Sequence, residues 1–118
     1  MNGRTEQLAA LRAAALQERD PTASDGVLAV LLGETARISA ERVLEIGAGR
    51  GLTAIALLLS GVPSVTAIER EKGRIASARE NFAAFGVSSR AELLEGDAAD
   101  ILPRLTGTYD LIFLDAAK

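Results

Sequence analysis

The 118-residue chain has no cysteine and no histidine. Without cysteine there is no disulfide framework, no thiolate nucleophile and no thiolate metal site. Without histidine, a histidine-based catalytic triad and a His-ligated zinc are excluded. The sequence carries no basic run and its formal net charge is −3, so the electrostatic footprint of a nucleic-acid binder is missing. Its apolar stretches are far too short to span a bilayer, and its start lacks a signal-peptide pattern. These absences lead us to expect a cytoplasmic chain with neither nucleic acid nor membrane as partner. What remains is an ordinary balance, 48% apolar and 25% charged. The length suits one domain over residues 1–118, with a core of its own but short for an α/β enzyme.

The strongest local signal is Val43-Leu-Glu-Ile-Gly-Ala-Gly-Arg-Gly51, an apolar run ending in glycines at alternate positions. A helical pattern begins at Leu52, and a second short apolar run, Val65 to Ile68, ends in the carboxylate Glu69. This order predicts a βαβ unit with a ligand site in its first turn. Gly47, Gly49 and Gly51 allow a sharp bend and a close approach of backbone to ligand. The N–H groups and positive dipole end of the following helix face the same space. Glu69 stands where a carboxylate accepts the hydroxyl hydrogens of a ribose. The unit reads as a nucleoside site, with Gly47, Ala48, Gly49 and Gly51 as its cradle.

Elsewhere, residues 4–19 predict a helix that Asp20-Pro21 ends, and Ser24 or Asp25 caps a second helix to about Ile38. Together, residues 1–40 form an N-terminal helical segment expected to pack on the domain. Strands are expected at 42–46, 64–69, 91–95 and 109–115, and helices at 51–60, about 71–85 and about 98–104. Gly61 with Pro63, and Gly86, stop the first two of these helices. Alternating strands and helices imply an α/β, Rossmann-like parallel sheet in the order 3-2-1-4, with right-handed crossovers and helices on both faces.

The dinucleotide fingerprint needs glycine where this chain has Leu52. With Glu45 two residues before the first glycine, the pattern instead resembles the first motif of the class I S-adenosylmethionine-dependent methyltransferases. Gly96-Asp97-Ala98 after the third strand and Asp110-Leu-Ile-Phe-Leu-Asp-Ala-Ala-Lys118 in the fourth extend the likeness. The ordered set resembles the N-terminal half of the metal-dependent O-methyltransferases of the catechol and caffeoyl-coenzyme A type. The resemblance implies a seven-stranded fold of which this chain is a truncated part. It implies S-adenosylmethionine as cofactor, held by Glu45, the glycine loop with Ala48, Thr53, Glu69, Arg70, Asp97, Ala98 and Asp115. Thr53 would hold the cofactor's carboxylate, Glu69 the ribose, and Asp97 the adenine amino group, with Ala98 on the ring. It also implies Asp115 as ligand to a divalent metal, Mg²⁺, and Lys118 as the base that deprotonates the acceptor.

Each residue has a plainer reading. The glycines form a tight turn in any case, Glu69-Arg70-Glu71 is a charge cluster, and Asp97 caps the helix after it. Glu45 is a carboxylate inside a strand and needs donors. The remaining metal ligands of the resembling family, an Asp-Asn pair beyond the next strand, are not in this sequence. Mg²⁺ seeks six oxygens, so one carboxylate holds it weakly. The expectation is therefore a cofactor-binding half-domain with little or no turnover. The alternatives are an NAD-type dinucleotide-binding fragment and a non-catalytic structural fragment. The sequence also predicts self-association, because the apolar strand 109–115 lies at the sheet edge without proline, lysine or bulge. Antiparallel pairing with a second copy would cover it, leaving the two Asp115 carboxylates about 20 Å apart, too far to rebuild a metal site.

Overall fold

A computed structural model of the chain describes residues 25–114. The helix expected at 4–19, Ser24, Asp115 and Lys118 lie outside the described residues. The elements run α1 (Asp25–Arg37), β1 (Arg42–Ile46), α2 (Leu52–Ser60), β2 (Ser64–Glu69), α3 (Lys72–Ala84), β3 (Ala91–Glu95), α4 (Ala98–Ile101) and β4 (Leu111–Leu114). The four strands form one parallel sheet in the order β3-β2-β1-β4, as expected. β1 is central, pairing Val43 with Val65 on one side and with Leu111 on the other.

One face of the sheet carries Val43, Val65, Ala67 and Leu93, joined to the main core with Leu111 and Phe113 packed against it. The two-residue period of a strand puts these on the same side. α2 is buried from Leu52 to Leu58, and Ile55 and Leu57 are wholly inaccessible. A helix apolar all round must be covered all round, here by the sheet, α1 and α3. Each such side chain contributes roughly 1.5–3 kcal/mol of burial. On β4, Leu111 and Phe113 turn to the core, whereas Ile112 and Leu114 are 58% and 65% exposed.

Several boundaries differ from the expected ones. The helix expected at 51–60 starts at Leu52, because Gly51 adopts a left-handed φ of 85° as its N-cap. The helix expected at 71–85 starts at Lys72, since the Glu71 side chain accepts from the N–H groups of Gly73 and Arg74 as an N-cap. Its C-cap is Phe85, with the left-handed Gly86 following. The helix expected at 98–104 is one α-helical turn to Ile101 followed by a 3₁₀ turn, Leu102–Arg104. Pro103, which lacks an N–H, favours that break. β4 begins at Leu111 and not at 109, because Asp110 is taken up in capping. Its Oδ2 accepts from the N–H groups of Glu41 and Arg42, at 2.8 and 3.0 Å. The helix expected to reach Ile38 ends at Arg37, before Ser39 at a φ of 53°.

Candidate functional site

The direction of chain connection reverses between β1 and β4, and in open α/β sheets the crevice outside the carboxyl ends of the strands there receives ligands. The loops leaving β1, β2 and β3 meet on this edge. Gly47, Gly49 and Gly51 have φ values of 92°, 58° and 85°, a run of left-handed turns that side-chain-bearing residues resist. The N–H groups of Gly47 and Ala48 both donate to Ile68 O at the end of β2, at 2.9 and 3.1 Å. The Gly51 N–H donates to Ala48 O at 3.0 Å and closes the turn.

Glu69 is the hub of the edge. It is 4% exposed, so its carboxylate needs donors. Oε1 accepts from the Gly49 N–H at 2.7 Å, and Oε2 from the N–H groups of Arg70 and Glu71 at 3.2 and 3.1 Å. Its backbone carbonyl accepts from the Gly96 N–H at 2.9 Å, tying in the exit of β3. A carboxylate offers about four lone-pair positions, so three N–H donors leave one open, on Oε1. Glu69 is thus no solvated member of a charge cluster, unlike its exposed neighbours Arg70 and Glu71.

Across the crevice, Asp97 Oδ1 accepts from the Ala99 N–H at 2.9 Å and so caps α4. Its Oδ2 stands 3.8 Å from Arg70 Nη1, with both side chains more than half exposed. Such a pair is worth little and is readily opened. Ala98 is half-buried beside it. Glu45, 1% exposed, lies in β1 level with Ala67 and Phe113, two residues before Gly47. Thr53 is 5% exposed in the first turn of α2. The structure therefore gathers Glu45, the glycine loop, Thr53, Glu69, Arg70, Asp97 and Ala98 at one end of the sheet. Among the described residues no group of three His, Cys, Asp or Glu side chains is placed to hold a metal ion.

Sequence reasoning missed the contribution of α3. Asn81 Nδ2 donates to Arg50 O at 2.9 Å. A Cβ on Gly51 would fall 2.7 Å from Phe82 Cε1 and 3.3 Å from Ala78 Cβ. The available signal was Asn81 itself, a weak helix former within a run of better ones. A separate groove of about 340 Å³, lined by Leu32, Thr35, Ser60 and Val62, lies at the opposite, amino-terminal end of β1 and β2.

Left-handed glycines leave the backbone bare toward the crevice, and a buried carboxylate with one open lone pair stands beside them. These features fit the sugar of a nucleoside cofactor. The family described as a methyltransferase domain matches residues 43–117. A catechol O-methyltransferase of Mycobacterium tuberculosis is 39% identical over 114 residues, covering 94% of this chain and 51% of the relative. A Staphylococcus aureus protein assigned as a caffeoyl-CoA O-methyltransferase superposes with a TM-score of 0.88 at 26% identity, over 94% of this chain and 54% of that one. An O-methyltransferase of Streptomyces achromogenes involved in tomaymycin synthesis, solved with S-adenosylmethionine, gives 0.80 at 29% identity, over 92% and 52%. The chain spans about half the length of these relatives. It belongs to the methyltransferase domain family, of the S-adenosylmethionine-dependent class whose O-methyltransferases it resembles.

Proposed function

We propose that this chain binds S-adenosylmethionine at the carboxyl edge of its sheet and forms the cofactor half of an O-methyltransferase. The observation that carries the reading is the glycine loop held by Glu69. When bound, the cofactor supplies an electrophilic methyl group to an acceptor oxygen. The chain's own residues bind and orient. Glu69 takes one ribose hydroxyl at the open position of Oε1; a second displaces one of the longer bonds at Oε2. Asp97 leaves Arg70 and accepts from the adenine amino group, while keeping Ala99 capped through its other oxygen. Arg70 and Ala98 flank the ring. Thr53 and the first turn of α2 receive the cofactor's carboxylate, as anions favour helix N-termini. Glu45 lies beside the loop and takes the ammonium group. Asp115 and Lys118, a metal ligand and a base by resemblance, enter no step here. In this reading the 118 residues bind cofactor with little or no turnover, in the cytoplasm.

Self-association through the outer edge of β4 is part of the same proposal. Ile112 and Leu114 are exposed apolar side chains on a strand whose only partner among the described residues is β1. An antiparallel pairing with a second copy would extend the sheet.

Calorimetric titration with S-adenosylmethionine, S-adenosylhomocysteine and NAD tests the cofactor. Saturable binding of the first two, with none of NAD, is the expected result. Binding of NAD alone would replace the reading with the dinucleotide one, and binding of none would remove it.

A further inference from the structure

We infer that Asn81 is a positioning residue for the cofactor loop, acting through the Arg50 carbonyl; the inference rests on the cofactor reading above. The peptide unit joining Arg50 to Gly51 lies between two left-handed glycines, Gly49 and Gly51. Glycine tolerates φ of either sign, so local sterics alone do not fix which way this plane faces. Two bonds from outside the unit fix it. Its carbonyl accepts from Asn81 Nδ2 at 2.9 Å, and its N–H donates to Ala48 O at 3.0 Å. One peptide plane is thus held at both ends, one of them by a side chain 31 residues away in sequence.

Two peptide planes earlier, the unit joining Ala48 to Gly49 is held by Glu69 through the Gly49 N–H. The loop is therefore clamped from two elements, β2 through a carboxylate and α3 through an amide. Phe82, next to Asn81, fills the space that a Gly51 Cβ would occupy, so the backbone rests directly on α3 at this point. The loop's donors and acceptors are fixed before a ligand arrives, and that preorganisation spares the ligand the cost of ordering it. Asn81 touches neither ribose nor adenine in this arrangement; its effect passes through Arg50 O.

The test uses the whole chain and two variants. Asn81→Ala removes the donor, and because alanine favours helix more than asparagine, α3 stays formed. Asn81→Asp keeps the shape but turns an acceptor toward the Arg50 carbonyl. Two readouts are taken: S-adenosylhomocysteine affinity by calorimetry and amide hydrogen exchange at Gly49, Gly51 and along α3. We expect Asn81→Ala to weaken binding about three- to tenfold, the equilibrium effect of one neutral hydrogen bond. The Gly51 amide should exchange faster while the amides of α3 keep their protection, and Asn81→Asp should lose at least as much. A folded variant with wild-type affinity and wild-type Gly51 exchange would overturn the inference. So would faster exchange spread evenly along α3, the mark of a residue that only supports its own helix. If the wild-type chain fails to bind S-adenosylhomocysteine, the cofactor reading falls, while Gly51 exchange still decides whether Asn81 holds the loop.

Discussion

Glu69 and Gly49 are joined by a 2.7 Å hydrogen bond from the glycine N–H to the glutamate carboxylate, across 20 residues of sequence. Through it the residue that ends β2 fixes the loop that leaves β1. The same carboxylate caps the two N–H groups leading into α3. A single buried side chain thus links β2, the loop after β1 and the entrance of α3 around the crevice.

Gly51 should resist replacement. Gly51→Ala meets a φ of 85° and a Cβ position 2.7 Å from Phe82 Cε1. Left-handed strain and overpacking together should cost about 2–4 kcal/mol. Urea unfolding should show this as a lower midpoint with an unchanged slope. A stability within experimental error of wild type would mean that the loop and α3 are not in contact.

Asp110 predicts an acid-sensitive strand register. Hydrogen bonds from the backbone N–H groups of Arg42 and Glu41 hold its carboxyl below the usual aspartate value, with the Arg42 charge assisting. A folded-state pKa below the unfolded one means that the unfolded chain binds more protons in that window. This stabilisation is therefore complete above the ordinary aspartate pKa and is lost as pH falls through the folded value. Glu71 behaves alike, lowered by the N–H groups of Gly73 and Arg74. Melting temperature against pH should fall on the acid side for wild type and fall less steeply for Asp110→Asn. Parallel curves would show that this cap carries no charge-dependent stability.

The outer edge of β4 predicts association. Light scattering at tens of micromolar should give a mass above that of one chain, and Ile112→Pro should reduce it by placing a ring where a ladder would run. A stable monomer, or an assembly indifferent to the proline, would contradict pairing through this strand.

For turnover, the 118-residue chain with S-adenosylmethionine, a catechol and millimolar Mg²⁺ should give no methylated product by mass spectrometry. In the proposed reading Asp115 is a metal ligand by resemblance alone, and one carboxylate is a poor match to the six-oxygen preference of Mg²⁺. Product formation abolished by a chelator would show that the metal site is complete within these residues.

Much of this fold was legible in the sequence, for identifiable reasons. β1, β2 and β3 each carry a short apolar stretch, Val43-Leu44, Ala67-Ile68 and Leu93-Leu94, and the observed ranges match the expected ones. The glycine loop and Glu69 were legible because their chemistry depends on residue type and spacing. What the sequence hid was long-range side-chain use. Nothing local shows that Asp110 caps the start of β1 and so shortens β4, or that Asn81 reaches the Arg50 carbonyl. Nor does spacing show that Glu69 binds its own loop. Such contacts depend on where α3 and the β3–β4 connection come to rest, which is decided by packing.

The most direct test of the account is a binding cycle on Glu69. The affinities of S-adenosylhomocysteine and its 2′-deoxy analogue are measured by calorimetry for wild type and Glu69→Ala. The account predicts that Glu69→Ala weakens S-adenosylhomocysteine by about 1.5–3 kcal/mol, the scale of a hydrogen bond to a charged group. It also predicts that wild type prefers the ribose form and that the variant loses this preference, a coupling that loop damage alone does not produce. Equal affinity of wild type and variant for S-adenosylhomocysteine, or the same ribose preference in both, would contradict the placement of the cofactor on Glu69.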